Sequence, residues 1–179
     1  TATVAICVNA LPSAMAMTTA VCAGEDVDLS VTATGGMTYT YAWSAPATGA
    51  TSMASVATAD ANDGDVYTVT VTNENDCSTT ATVAISVNPL PTAMAMTTAV
   101  CDGEDATLVA TAMGGMDYTY AWSAGTTGTG SMVSVDGVTT TNDGDVYTVT
   151  VTSSDACAST ATVAISVHPL PSAMAMTTA

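Results

Sequence analysis

The sequence predicts an all-β protein built as a tandem array of small two-sheet sandwiches joined by short proline-containing linkers. Three observations carry this expectation. A long segment recurs along the chain, apolar and Thr, Ser or acidic residues alternate with a period of two inside it, and clusters of Asp, Asn, Gly and Pro separate the alternating runs.

The repeat comes first. TATVAICVNALPSAMAMTTA opens the chain, TATVAISVNPLPTAMAMTTA begins at Thr80 and TATVAISVHPLPSAMAMTTA begins at Thr160, giving offsets of 79 and 80 residues. VCAGEDVDLS returns as VCDGEDATLV, GGMTYTYAWSA as GGMDYTYAWSA, and NDGDVYTVTVT returns unchanged. The single-residue difference falls between Ala57 and Asn62, where a loop absorbs it. A period near 80 residues is too long for a solenoid turn and suits one small self-contained domain.

Each strand has its own pattern. AMAMT alternates Met15 and Met17 against Ala14 and Ala16. VDLSVTA sets Val27, Leu29, Val31 and Ala33 against Asp28, Ser30 and Thr32. YTYAWS aligns Tyr39, Tyr41 and Trp43, and a weaker strand, SMASVAT, follows. VYTVTVT sets Tyr67, Val69 and Val71 against Thr68, Thr70 and Thr72, and TVAISV sets Val83, Ile85 and Val87 against Ala84 and Ser86. The runs are parted by the turn signals AGED, TGG, APATG, NDGD and NEND, and no segment carries a 3.6-residue period. About seven short strands per repeat point to a sandwich.

The domain reading is then residues 1–10 as the closing strand of a preceding repeat, 11–88 and 89–168 as two full repeats, and 169–179 as the first strand of a following one. Pro89 and Pro91, and likewise Pro169 and Pro171, restrict the backbone at the joins and favour an extended, semi-rigid connection over a flexible tether.

Cysteines recur in register, Cys22 with Cys101 and Cys77 with Cys157. The expected pairs are Cys22–Cys77 and Cys101–Cys157, each clamping one end of a sandwich and contributing about 4 kcal/mol in the chain-entropy view. Two free buried thiols per repeat are the alternative. Cys7 aligns with Ser86 and Ser166, so the repeat does not require a thiol there. With no C-x-x-C and one histidine, a zinc site is not expected.

Composition narrows the partners. The chain has no Lys or Arg, 16 acidic residues and one His, for a formal charge of −16. Phosphate neutralisation needs basic side chains, so nucleic acid and anionic membrane surfaces are disfavoured. No apolar run is long enough to insert into a membrane. Such a composition fits an extracellular protein in a cation-rich medium.

The combined string VCAGEDVDLSVTATGG, YTYAWS, NDGDVYTVTVTNENDC and VNPLP resembles the tandem immunoglobulin-like, PKD-like repeats of giant Bacteroidota cell-surface adhesin and filament proteins. The resemblance covers both repeats. It implies Ig-like sandwiches in a secreted, cell-anchored stalk or filament, non-catalytic, on the bacterial surface. Its partners would be neighbouring repeats of the same chain and other copies in a filament. By the same resemblance Trp43 and Trp122 are core residues, and Tyr67 and Tyr147 are candidates for a tyrosine corner. The chain departs from PKD domains in carrying WSAPATG where they have a W-D-F-G-D-G-like motif. It departs from antibody domains in placing its cysteines outside the two central strands, so no cystine beneath the tryptophan is expected.

No catalytic constellation is present. His168, the only histidine, aligns with Asn88 and Asn9 in the linker, and no G-x-S-x-G, P-loop or G-x-G-x-x-G occurs. No cofactor is expected. The one metal candidate is Ca²⁺ at Asp63, Asp65, Asp143 and Asp145 of the NDGD turns, set against a plain Asp-Gly turn. The Tyr39–Tyr41–Trp43 stripe is a candidate sugar platform, set against a role in the core. The alternative to a stalk is therefore a binding module of an adhesin, taking a glycan or dependent on calcium.

Overall fold

A computed structural model of the chain describes residues 3–57 and 64–176. It divides into two compact units, Thr1–Pro89 and Leu90–Ala179. The first contains β1 (Ser13–Thr18), β2 (Val21–Cys22), β3 (Val27–Thr34), β4 (Tyr39–Trp43), β5 (Met53–Val56), β6 (Val66–Asn73), β7 (Ser78–Ala84) and β8 (Val87–Asn88). The second repeats the series as β9 (Thr92–Thr97), β10 (Val100–Cys101), β11 (Ala106–Met113), β12 (Thr119–Trp122), β13 (Met132–Val135), β14 (Val146–Thr152), β15 (Ala158–Ala164) and β16 (Val167–His168), with a 3-10 turn at Thr140–Asn142 before β14.

Each unit stacks two three-stranded antiparallel sheets, β1-β3-β5 on β4-β6-β7 and β9-β11-β13 on β12-β14-β15. A short parallel pair closes one end of each, β2 with β8 and β10 with β16. Alternation sets the register because a one-residue slip would turn every Val outward. Val27 and Leu29 are fully buried while Asp28 between them is exposed, and Val69 and Val71 of the facing sheet are likewise sealed from solvent.

Each core has two halves. In the first unit Val27, Leu29, Val56, Tyr67 and Ile85 gather in one half, and Val31, Val69 and Val71 in the other. Trp43 packs against both, and Trp122 does the same in the second unit. Both tryptophans are half-buried, with indole N–H groups donating to Thr51 (3.1 Å) and Gly130 (3.2 Å). The ring thus fills the middle of the sandwich while its polar edge fastens the loop after the strand. In β1, Ala14 and Ala16 face the core and Met15 and Met17 face solvent, and small inward side chains let the strand lie close to Ala81 of β7.

The tyrosine corner is not formed. The Tyr67 hydroxyl is buried without a hydrogen-bond partner, and Tyr147 makes no bond to an upstream carbonyl among the described residues. Burial, and secondarily the Asp65 carboxylate, push the Tyr67 phenol above its ordinary pKa. Both rings serve as apolar filling beside Ile85 and Ile165.

Candidate functional site: the two poles of each unit

In each sandwich β3 and β6 run in the same direction although they belong to different sheets. Val27 at the start of β3 packs with Tyr67 near the start of β6, and Val31 packs with Val69 and Val71 further along. A residue just before β3 and a residue just after β6 therefore sit at opposite ends. Cys22 occupies the trailing pole, where the chain leaves the unit, and Cys77 the leading pole, where it arrives.

The leading pole of the first unit is organised by Asn73, a buried polar side chain. Its carboxamide oxygen accepts from the N–H groups of Asn75 (3.0 Å) and Cys77 (3.1 Å), and its nitrogen donates to the Ala10 carbonyl (3.2 Å). One side chain thus shapes the turn that carries Cys77 and ties down the incoming chain. Glu74 adds a second tie, its carboxylate accepting from the Met37 (3.0 Å) and Thr38 (3.2 Å) N–H groups. Its own backbone N–H, and then these two bonds, hold the Glu74 carboxyl below its ordinary pKa. In the second unit Ser153 and Ser159 replace these contacts, Ser153 Oγ donating to the Cys157 carbonyl (3.3 Å) and Ser159 Oγ to the Pro91 carbonyl (2.5 Å). Gly35 adopts φ +89°, and a side chain there would press on the Leu11 carbonyl oxygen at 3.3 Å.

The trailing pole is a backbone construction. Val21 N–H donates to Ser86 (3.2 Å) and Ala23 N–H to Asn88 (2.9 Å), and Val100 and Asp102 repeat this with Ser166 and His168. Cys22 and Cys101 are Cα partners of Asn88 and His168, directly before Pro89 and Pro169. The Glu of the VC-x-GE string folds back to accept from the cysteine N–H, Glu25 to Cys22 (3.1 Å) and Glu104 to Cys101 (2.9 Å).

The expected intra-repeat cystines are not those of the structure. Cys77 and Cys101, one member of each expected pair, are free thiols, as is Cys7. The eight residues of β6 span about 23 Å at roughly 3.3 Å per residue. A cystine requires Cα atoms within about 7 Å. Cys22 and Cys77, beyond opposite ends of that span, cannot meet, and the same topology separates Cys101 from Cys157.

The NDGD turns act as splices. Asp143 Oδ1 accepts from Val167 N–H (2.8 Å), Asn142 donates to Asp145 (3.0 Å), and Gly144, at φ +86°, donates to the Ile165 carbonyl (3.0 Å). Asp63 lies outside the described residues. Among those described, no three His, Cys, Asp or Glu side chains converge as a metal site. Tyr39 and Tyr41 are half-buried with ring centroids 6.4 Å apart at 48°, leaning on Val31, Val69 and Val71. His168 is exposed beside Cys101. Among the described residues no helix is long and apolar enough to cross a membrane.

Two facing three-stranded sheets with a tryptophan bridging the core define an Ig-like module. Residues 10–89 match the sequence model of the family described as Ig-like domain, CHU_C associated. The eight N-terminal Ig domains of Down Syndrome Cell Adhesion Molecule isoform 1.30.30 are similar in structure, with TM-score 0.58 and 17% identity over 87% of this chain and 27% of that one. The three N-terminal domains of the bacteriophage RB49 Highly Immunogenic Outer Capsid protein match with TM-score 0.46 and 23% identity over 88% of this chain and 59% of that one. The insect immune protein hemolin matches with TM-score 0.41 and 16% identity over 84% and 44%. The chain thus spans about a quarter of the DSCAM fragment (27%), and the likeness to that fragment shows the fold alone. No curated protein is significantly similar in sequence.

Proposed function

We propose that the chain is a structural section of an extracellular stalk or filament of a bacterial surface adhesin, and that it performs no catalysis. One observation carries this reading. Val4, Ile6 and Val8 alternate as in a core-facing strand yet are 89%, 85% and 86% exposed. Ile85, the repeat counterpart of Ile6, is 2% exposed inside a sandwich, and Val83 and Val87, the counterparts of Val4 and Val8, pack partly buried against the same core. Residues 1–10 are then the closing strand of a preceding repeat, and 169–179 the opening strand of a following one. The match to a CHU_C-associated Ig-like family and the proline joins support the same reading. The neighbours in the array are further repeats of the same chain, and other copies lie alongside in a filament.

The test is length. Pieces carrying two, four and eight repeats are measured by small-angle scattering and electron microscopy. A stalk lengthens in equal increments per repeat, each at least the about 23 Å spanned by an eight-residue strand at roughly 3.3 Å per residue. Maximum dimensions that stop growing with repeat number would overturn the reading.

A further inference from the structure

All eleven methionines lie among the described residues, and every one is exposed, while Val, Leu and Ile fill the cores. Methionine is ordinarily among the residues most often fully buried. Turned outward, its thioether offers a soft donor sulfur. In the first unit two of these side chains meet at one place. On the sheet β1-β3-β5, Met17 is the Cα partner of Ser30 and Ser30 of Met53, so the three form one row across the outer face. Met17 and Met53 line a single hollow together with Thr18, Thr19, Asp28 and Ser30. We infer that this hollow binds a soft monovalent cation of the Cu(I) class, held between the Met17 and Met53 thioethers.

The strands that carry Met17 and Met53 flank one central strand, so their backbones run about 10 Å apart. A methionine side chain has three rotatable bonds, and only a serine stands between the two. The sulfurs can therefore close on one ion above Ser30. Ser30 Oγ donates to the Met17 carbonyl (3.3 Å), which turns its lone pairs to the hollow. Asp28, exposed two residues earlier on the same face, supplies the charge that balances the cation. Thr18 Oγ1 donates to the Asp28 carbonyl (2.9 Å) and pins β1 to β3 beside the row. A chain of charge −16 with no Lys or Arg concentrates cations at its surface.

The second unit is a built-in control. Its row is Met96, Val109 and Met132, with Thr107 where the first unit has Asp28. The branched Val109 occupies the gap that Ser30 leaves open. The hollow there is walled by Met96, Thr97, Thr98, Thr107 and Val109, without Met132. One sulfur and no carboxylate make a poorer site for the same ion.

The site lies within one unit and stands whether or not further repeats flank the chain. To test it, the 179-residue chain is labelled at its methionine methyl groups. The free thiols Cys7, Cys77 and Cys101 are blocked with N-ethylmaleimide, because thiolates take soft ions ahead of thioethers. The probe is Ag(I), added as the nitrate. The Met17 and Met53 methyl resonances should move together and stop at one equivalent, before those of Met96 and Met132 respond. Met17→Leu or Met53→Leu, each at an exposed position, should weaken binding about tenfold or more. Val109→Ser combined with Thr107→Asp should bring the same response to Met96 and Met132. A common drift of all the methyl resonances without saturation, or unchanged affinity in both leucine variants, would overturn the inference. So would equal shifts with excess Ca²⁺, which a carboxylate alone would hold, or a second unit left unresponsive by the graft.

Discussion

The two units share a core almost position for position but secure their poles by different chemistry. At the leading pole the first unit uses a carboxylate, Glu74, to hold Met37 and Thr38, where the second uses the Ser154 N–H donating to the Met116 carbonyl (3.2 Å). At the trailing pole the second unit has Asp102 where the first has Ala23. Asp102 accepts from Thr140 N–H (2.7 Å), Asp105 from Gly137 N–H (2.7 Å), and Val138 between them is buried in the core. The comparison separates what the fold demands from what it permits. The Val, Leu and Trp lattice is common to both, whereas the pole contacts are local solutions drawn from whatever polar side chain stands within reach.

The strongest challenge to this division is to break one core. Leu29→Ala and Leu108→Ala each remove a fully buried side chain and should destabilise their own unit by about 3 kcal/mol. With one tryptophan per unit, fluorescence of Trp122→Phe and Trp43→Phe backgrounds reports each separately in denaturant. Equal losses in the two units would sharpen the comparison, and unequal ones would break it. Asp102→Ala should cost the second unit about 1–2 kcal/mol through its lost charged acceptor, with the first unit's midpoint unmoved.

A smaller effect is expected in the turn before the leading-pole cysteine. Ala156 adopts φ +63° where Asp76 adopts φ +57°, a region Asp tolerates better than Ala. Ala156→Gly should therefore stabilise the second unit by up to about 1 kcal/mol, and Asp76→Gly should help the first less. The smallest effect is one of pH. Because Glu74 is held below its ordinary pKa, its contribution is present above the unfolded carboxylate value near 4.3 and is lost as pH falls through the lower folded value. The Met37 and Thr38 amide resonances should shift together in acid, while Met116 and Ser154 stay in place. A flat Met37 trace would remove the distinction between the poles.

Much of this was legible in the sequence. Alternation in VDLSVTA and VYTVTVT placed the buried faces, and the stretch after Ala57, one residue shorter than its counterpart in the second unit, marked the loop where the units differ. Three things were not legible. Alternation in AMAMT does not say which face goes in, because a close strand approach favours Ala over the more apolar Met. The pairing of cysteines was misread because positions before β3 and after β6 look adjacent only if those strands run in opposite directions. Their relative direction depends on how the chain crosses between sheets, which no local pattern records. The poles were equally hidden, since Asn73 and Glu74 read as turn formers until the Ala10 carbonyl and the Met37 amide are seen beside them.

The shared direction of β3 and β6 has a mechanical consequence. A clasp across one sandwich would make each bead a closed ring, strong in itself but hung on its neighbour by a single thread of backbone. With its two cysteines at opposite ends the first unit closes no such ring, and its cohesion comes from the packed core and the backbone ladders.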